Sequence, residues 1–83
     1  MTAFERLLNT GMHLDVFRWK NEKDSGIGVH FVRAEIKERG FLAGEFGKGQ
    51  TIEEACEDYI KIISGKTLVF NAFTDYSKEV IFV

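Results

Sequence analysis

The sequence predicts an α+β fold: an antiparallel meander sheet packed on one long helix, with a short N-terminal helix, in the order α-β-β-β-α-β-β. Three observations predict it. Two capping-box motifs, TAFE at 2–5 and TIEE at 51–54, each precede apolar residues at helical spacing. Segments rich in β-branched and aromatic residues lie between and after them. Short polar connections join these segments, which favours antiparallel hairpins within one domain of residues 1–83.

Two helices are predicted. The first covers about residues 3–10, because Phe4 and Leu7 have helical spacing behind the first capping box. The second begins after Thr51 and closes at Gly65. Its apolar stripe, expected to face the sheet, consists of Ile52, Ala55, Cys56, Tyr59, Ile60 and Ile63.

Five strands are predicted from their β-branched and aromatic content. They cover residues 13–20, 26–36, 41–46, 67–73 and 80–83, and polar turns lie at 21–26, 37–40 and 74–79. The glycine-containing segment 47–50 is expected to be a loop before the second helix. Alternation in the first strand puts Leu14 and Val16 on one face and Phe17 and Trp19 on the other.

Composition and charge argue against several classes of function. Eleven basic and 13 acidic residues give a net charge of −2, whereas nucleic-acid binders usually carry a basic surplus. Cys56 is the one cysteine, so no internal disulfide forms and a reducing cytoplasm is the expected compartment. The N-terminus lacks the apolar region of a signal peptide, and no run approaches the roughly 18 apolar residues that span a membrane.

The octapeptide RGFLAGEF, residues 39–46, partly matches the signature of the RNA-recognition motif. That motif needs two exposed aromatic side chains on one strand to stack bases. Ala43 leaves one of these rings missing, and Glu45 places a negative charge on the same side as Phe41. An ordinary glycine-containing strand is therefore the preferred interpretation.

No pattern of catalytic, metal-binding or cofactor-binding residues emerges. The segment GKGQT at 47–51 precedes a helix, but a P-loop requires a lysine followed directly by serine or threonine. His13, His30 and Cys56 do not have metal-ligand spacing. Cys56 lies on the apolar stripe and is expected to be a packed thiol. The sequence predicts neither an enzyme nor a cofactor or metal site.

The sheet face away from the long helix is the candidate binding surface. It carries Phe17, Trp19, His30, Val32 and Phe41, with the cations Arg18, Arg33 and Arg39 nearby. Aromatic surface of this extent needs a cover. Two covers are open: the N-terminal helix, which is preferred, or a partner, either another protein or a second copy of this chain. A third use of this face is to stack single-stranded nucleic acid on Phe17, Trp19 and Phe41.

Two segments resemble the core of HicB-type antitoxin domains: DSGIGVHF at 24–31 and GEFGKGQTIEEACEDYIKII at 44–63. In that family a glycine-containing hairpin leads to a strand, and G-x-T-x-E-E-A then opens a helix. The residues that match this opening are Gly49, Thr51, Glu53, Glu54 and Ala55. The usual proline-containing segment before the helix is absent, and no helix-turn-helix or ribbon-helix-helix segment follows. The resemblance therefore implies the fold and not DNA-binding repression.

The run ISGKTLVFNA, residues 63–72, resembles small uncharacterised proteins of bacteriophages and prophages of Gram-positive bacteria. Together with the surplus of aromatic strands, this resemblance favours a non-catalytic accessory protein of phage type. It would bind another protein, or itself, through the aromatic sheet face or an open strand edge. Single-stranded nucleic-acid binding through aromatic stacking is the alternative hypothesis.

Overall fold

The computed structural model describes residues 1–83 and confirms the α+β class. Its elements are α1 (Ala3–Leu8), β1 (Leu14–Lys20), β2 (Ser25–Phe31), β3 (Ala34–Glu38), β4 (Phe41–Ala43), β5 (Gly47–Gly49), α2 (Ile52–Ile63), β6 (Thr67–Phe70) and β7 (Lys78–Ile81). The strands form two antiparallel sheets instead of one meander. The first sheet has the strand order β1-β2-β5, and the second sheet has the order β4-β3-β6-β7.

The strand predicted over 26–36 is two strands in different sheets. β2 ends at Phe31, and β3 begins at Ala34 in the second sheet. Between them, Arg33 has a left-handed backbone with a φ of 58°, which interrupts the strand and redirects the chain. The sequence gives no signal for this turn, because glycine and asparagine are the residues that usually adopt such a backbone.

The strand predicted over 41–46 also divides. β4 pairs with β3 in the second sheet. The chain then crosses back through residues 44–46, and β5 pairs with β2 in the first sheet. The segment expected to be a loop, 47–50, therefore contains a strand. Its two glycines conceal that strand from the sequence, because glycine is depleted in strands.

The last two strands differ from their predicted limits. β6 stops at Phe70, because Asn71 has a left-handed backbone with a φ of 55°. Asparagine is among the few non-glycine residues that visit this conformation routinely. β7 begins at Lys78, before the predicted start. The chain beyond it stays attached, since the Phe82 amide donates to the Lys66 carbonyl at 3.2 Å.

Helix α2 lays one face on the first sheet, as the apolar stripe predicts. Its buried residues are Ala55, Cys56, Tyr59 and Ile63. Ile52, in the first turn, is 43% exposed and lies outside this packing. The rings of Phe31 and Phe70 bring the two sheets together, with their centroids 5.9 Å apart. The helix and both sheets therefore share one core.

Helix α1 packs against α2. Leu7 is fully buried in the core, and Glu53 of α2 accepts hydrogen bonds from the Ala3 and Phe4 amides at 2.7 and 3.1 Å. These amides belong to the group that has no intrahelical partner at a helix start, so one carboxylate ties the two helices together. Neither helix is long and apolar enough to cross a membrane.

Thr51 begins α2 with the capping box that the sequence predicts. Its hydroxyl accepts from the Glu54 amide at 3.1 Å, and the Glu54 carboxylate accepts from the Thr51 amide at 3.1 Å. We expect Thr51→Ala to lower the free energy of unfolding by ~1 kcal/mol in urea titrations. Thr51→Ser keeps the hydroxyl and should stay within ~0.5 kcal/mol of the parent. Equal losses in the two variants would contradict the capping role.

Candidate functional site

The face of the first sheet that points away from α2 carries a group of rings that we call the aromatic face. It consists of Phe17 and Trp19 of β1, His30 of β2, and Phe46 from the crossing segment. The Phe17 ring centroid lies 5.7 Å from that of His30 and 5.0 Å from that of Phe46, and both pairs meet edge to face. All four side chains are half-buried, so the aromatic face is a packed cluster that still meets solvent.

Two glycines of β2 make room for these rings. Trp19 pairs with Gly26, and Phe17 pairs with Gly28, across the β1–β2 ladder. A side-chain carbon at Gly26 would lie 3.0 Å from Trp19 Cζ2, and one at Gly28 would lie 2.8 Å from Phe17 Cε2. The rings therefore lie against the glycine backbone, and the Trp19 Nε1–H donates to the Ile27 carbonyl at 3.2 Å. Aromatic packing of this kind compensates for glycine in a strand.

The cover that the structure shows over Phe17 and Trp19 is not the one that the sequence preferred. The preferred one, the N-terminal helix, is wrong, because α1 packs on α2 at the core. Phe46 and Lys48 cover the rings instead: Lys48 Nζ lies 5.2 Å from the Trp19 ring centroid and 5.3 Å from that of Phe46. Phe46 was missed because alternation in one strand over 41–46 assigns it to the helix side. A partner over the remaining exposed surface stays a prediction.

His30 links the aromatic face to the acidic residue of β1. Its Nε2 lies 3.2 Å from Asp15 Oδ2, and its Nδ1 lies 2.8 Å from the Phe31 carbonyl oxygen. Because a carbonyl oxygen only accepts, Nδ1 carries the hydrogen in this contact. Both ring nitrogens are engaged by the chain itself, which holds the imidazole against Phe17.

The other predicted site residues lie apart from this cluster. Arg18 points to the α2 side of β1, and Val32 and Arg33 form the turn between β2 and β3. Phe41, 77% exposed, and Arg39, with a left-handed φ of 52°, belong to the β3–β4 hairpin of the second sheet. Arg33 borders the aromatic face along a groove of about 280 Å³. The predicted arginines therefore do not form one basic cluster.

Strand β1 is an open edge of the first sheet. It is seven residues long, its pairing with β2 is continuous, and no strand pairs with its other side. The Val32 amide donates to the His13 carbonyl at 2.9 Å, which shows that the odd-numbered residues of this segment form the hydrogen bonds to β2. By antiparallel alternation, the amides and carbonyls of the even-numbered residues of β1 point outward. No proline, glycine or bulge interrupts this edge.

The opposite edge of the first sheet is closed by α2. The Lys48 amide of β5 donates to Asp58 Oδ2 of α2 at 2.8 Å. Just before the helix, the Gln50 and Thr51 amides donate to the Glu54 carboxylate at 3.2 and 3.1 Å. These amides of the GKGQT segment are therefore engaged by carboxylates of the chain itself.

The outward edge of β1 and the aromatic face together form the candidate functional site. The two adjoin each other, because Phe17 and Trp19 of the aromatic face lie on the same strand as the outward-pointing residues. No protein-family model, curated protein or solved structure matches this chain. What the chain does is therefore inferred from the chemistry of this surface.

Cys56 is fully buried on α2. Burial and, second, the nearby Glu53 carboxylate raise the pKa of its thiol from 9.0 to about 11. Because the thiolate is the reactive form, we expect the folded chain to resist a thiol reagent near neutral pH and the urea-unfolded chain to react rapidly. As pH rises from 9.0 to about 11, the free energy of unfolding should fall, since the unfolded chain loses this proton first. Rapid labelling of the folded chain would contradict this burial.

Proposed function

We propose that this chain is a non-catalytic interaction protein, of the accessory type that phages and prophages encode. It binds another protein by accepting an extended segment of that protein as a new strand beside β1. The observation that carries the proposal is the open, uninterrupted edge of β1 next to the aromatic face. In strand addition, main-chain hydrogen bonds supply affinity and side-chain contacts supply specificity. The proposed compartment is the cytoplasm, which the single cysteine supports.

The edge offers a regular set of hydrogen-bonding groups. The residues whose amides and carbonyls point outward are Leu14, Val16, Arg18 and Lys20. An antiparallel segment of matching length would pair with all of them. Free edges of this kind attract strands, and proteins usually protect them. β5 is protected by Asp58, while β4 and β7 are only three and four residues long. β1 is therefore the longest edge that is free to accept a strand.

Side chains of an added strand would extend both faces of the first sheet. A residue opposite Phe17 or Trp19 would join the aromatic face, where each cross-strand aromatic pair contributes roughly 0.2–1 kcal/mol. On the α2 side of β1, Val16 is 40% exposed and would gain a neighbour. An apolar residue of the partner would therefore strengthen binding on either face of the sheet.

The contacts around Trp19 argue against the alternative that this surface stacks single-stranded nucleic acid. Base stacking needs a free ring face, but Trp19 lies against Gly26 and the Lys48 ammonium lies over its ring. Lys48 would have to leave before a base could stack. Arg18 lies on the α2 side of β1, away from a nucleic-acid backbone laid across the aromatic face.

Proline substitution along the edge tests the proposal. Val16→Pro removes an outward amide and leaves the hydrogen bonds to β2 in place, because proline is tolerated on an edge strand where its nitrogen faces solvent. We expect dodecapeptides selected from a random displayed library to lose at least about tenfold in affinity for this variant. Val16→Ile, which keeps both the amide and an apolar β-branched side chain, should bind them as the parent does. Fluorescence anisotropy measures the affinity, and urea unfolding checks that each variant folds.

Arg18→Pro removes another outward amide and serves as the second variant if Val16→Pro unfolds. Strand addition at β1 would be overturned if the library yields no binding peptide. It would also be overturned if both proline variants bind the selected peptides as tightly as the parent does. Single-stranded oligonucleotide that binds at low salt, and more tightly to Lys48→Ala, would replace the proposal by the nucleic-acid alternative.

A further inference from the structure

We infer that the segment accepted by β1 is acidic: an extended strand of another protein that presents carboxylates at alternate positions, opposite Arg18 and Lys20. This inference rests on the proposed function and specifies the chemistry of the partner. The observation behind it is that the open edge has cations that no carboxylate of the chain pairs with.

Arg18 and Lys20 lie on the same face of β1, the one on the α2 side, because they are two residues apart in the strand. Both side chains are exposed. Neither takes part in an ion pair; the lysines that do so are Lys37 and Lys66. Two free cations therefore stand about 7 Å apart along the edge, the spacing of alternate residues in an added strand.

β1 contains no carboxylate that could balance these cations. Its one acid, Asp15, lies on the opposite face, where His30 Nε2 engages it at 3.2 Å. A third cation adds to the imbalance, since Lys48 Nζ lies over the Trp19 ring and is not in an ion pair. The C-terminal half of β1 thus has unpaired cations on both faces, although the chain as a whole is acidic and the next turn holds Glu22 and Asp24, neither of which is in an ion pair.

A second copy of this chain would not place carboxylates opposite Arg18 and Lys20. In an antiparallel pair formed by two β1 strands about a two-fold axis, residues that share a face lie opposite each other. Arg18 and Lys20 would then face only Leu14, Val16 or the same two cations. No carboxylate of β1 reaches them in any such register. The occupant that complements this edge is therefore a different, acidic chain.

Charge at this edge selects between partners. Opposite charges directly across two strands stabilise the pairing, and like charges destabilise it. Because both cations are exposed, the preference should weaken as salt screens it over a Debye length of about 10 Å at 0.1 M. A basic strand with the same apolar residues should be rejected.

Two designed octapeptides test the inference: alternating valine–glutamate and alternating valine–lysine, both with blocked ends. We expect the acidic peptide to bind about tenfold more tightly at low salt, and this preference to shrink at high salt. In a variant carrying both Arg18→Glu and Lys20→Glu, the preference should reverse. A variant carrying both Lys61→Glu and Lys78→Glu changes the net charge equally at exposed sites away from β1 and should keep the acidic preference.

Each outcome separates the inference from the function on which it rests. Peptides that bind in a manner sensitive to Val16→Pro, but without preference for acid, would overturn the inference and leave strand addition in place. If the Lys61→Glu and Lys78→Glu control loses the acidic preference to the same extent, the preference comes from the net charge of the chain and not from the edge. That result would also overturn the inference. Absence of any peptide binding sensitive to Val16→Pro would overturn both.

Discussion

Gly47→Ala is expected to lower the free energy of unfolding by about 3 kcal/mol, a large share of the roughly 5–15 kcal/mol that holds a domain folded. Gly47 lies in β5 directly beneath α2. A side-chain carbon there would lie 2.6 Å from Tyr59 Cβ, and closer still to the Ala55 carbonyl oxygen and the Tyr59 amide nitrogen. Helix backbone cannot rotate aside as a side chain does, so β5 and α2 would have to separate. Urea unfolding measures the loss.

Gly44→Ala provides the matched control. Gly44 has no left-handed backbone, and a side-chain carbon at this position would meet nothing within 4 Å. The change should be neutral or stabilise the fold by up to about 1 kcal/mol, because alanine restricts the unfolded chain. If Gly47→Ala proves as mild as this control, α2 does not rest on the β5 backbone.

Local signals in the sequence predicted the parts of the fold that local chemistry determines. The capping boxes that begin at Thr2 and Thr51 are both formed, because a hydroxyl and a carboxylate three residues apart satisfy helix amides wherever the helix packs. Alternation along β1 correctly separated Phe17 and Trp19 from the core face. These predictions needed no knowledge of the tertiary neighbours.

The exchange of strands between the sheets was not predictable in this way. It depends on a left-handed Arg33, which local propensity disfavours, and on β5, whose glycines look like loop residues. Phe46 and Lys48 reach the aromatic face only because β5 returns to the first sheet. The contacts of the candidate site thus follow from pairing between distant segments, which a strand-by-strand pattern does not contain.

Glycines in two adjacent strands explain why the first sheet can be covered on both faces. In β2, Gly26 and Gly28 point outward and admit the rings of the aromatic face. In β5, Gly47 and Gly49 point the other way and admit the backbone of α2. The sheet is thin at its centre for this reason. The helix closes the β5 edge, whereas the rings lie towards β1 at the open edge.

Tyr59 of α2 substitutes for a missing strand beside β2. β5 pairs only with residues Ile27–Val29 of β2, so no strand reaches the Phe31 amide on that side. The Tyr59 hydroxyl accepts from this amide at 3.1 Å. Its ring also meets the Phe31 ring edge to face, with the centroids 5.6 Å apart, in the middle of the core. Ring and hydroxyl therefore make separable contributions to stability.

Tyr59→Ala should lower the free energy of unfolding by about 4 kcal/mol, because it leaves a cavity in the core between α2 and the first sheet. Tyr59→Phe keeps the ring and removes only the acceptor, which leaves the Phe31 amide buried and unpaired at a cost of about 1–3 kcal/mol. Hydrogen exchange at the Phe31 amide distinguishes the two contributions: in Tyr59→Phe this amide should lose more protection than the Val29 amide, which lies within the part of β2 that β5 covers. A Tyr59→Phe variant with unchanged stability and unchanged exchange at Phe31 would show that the hydroxyl does not complete the sheet.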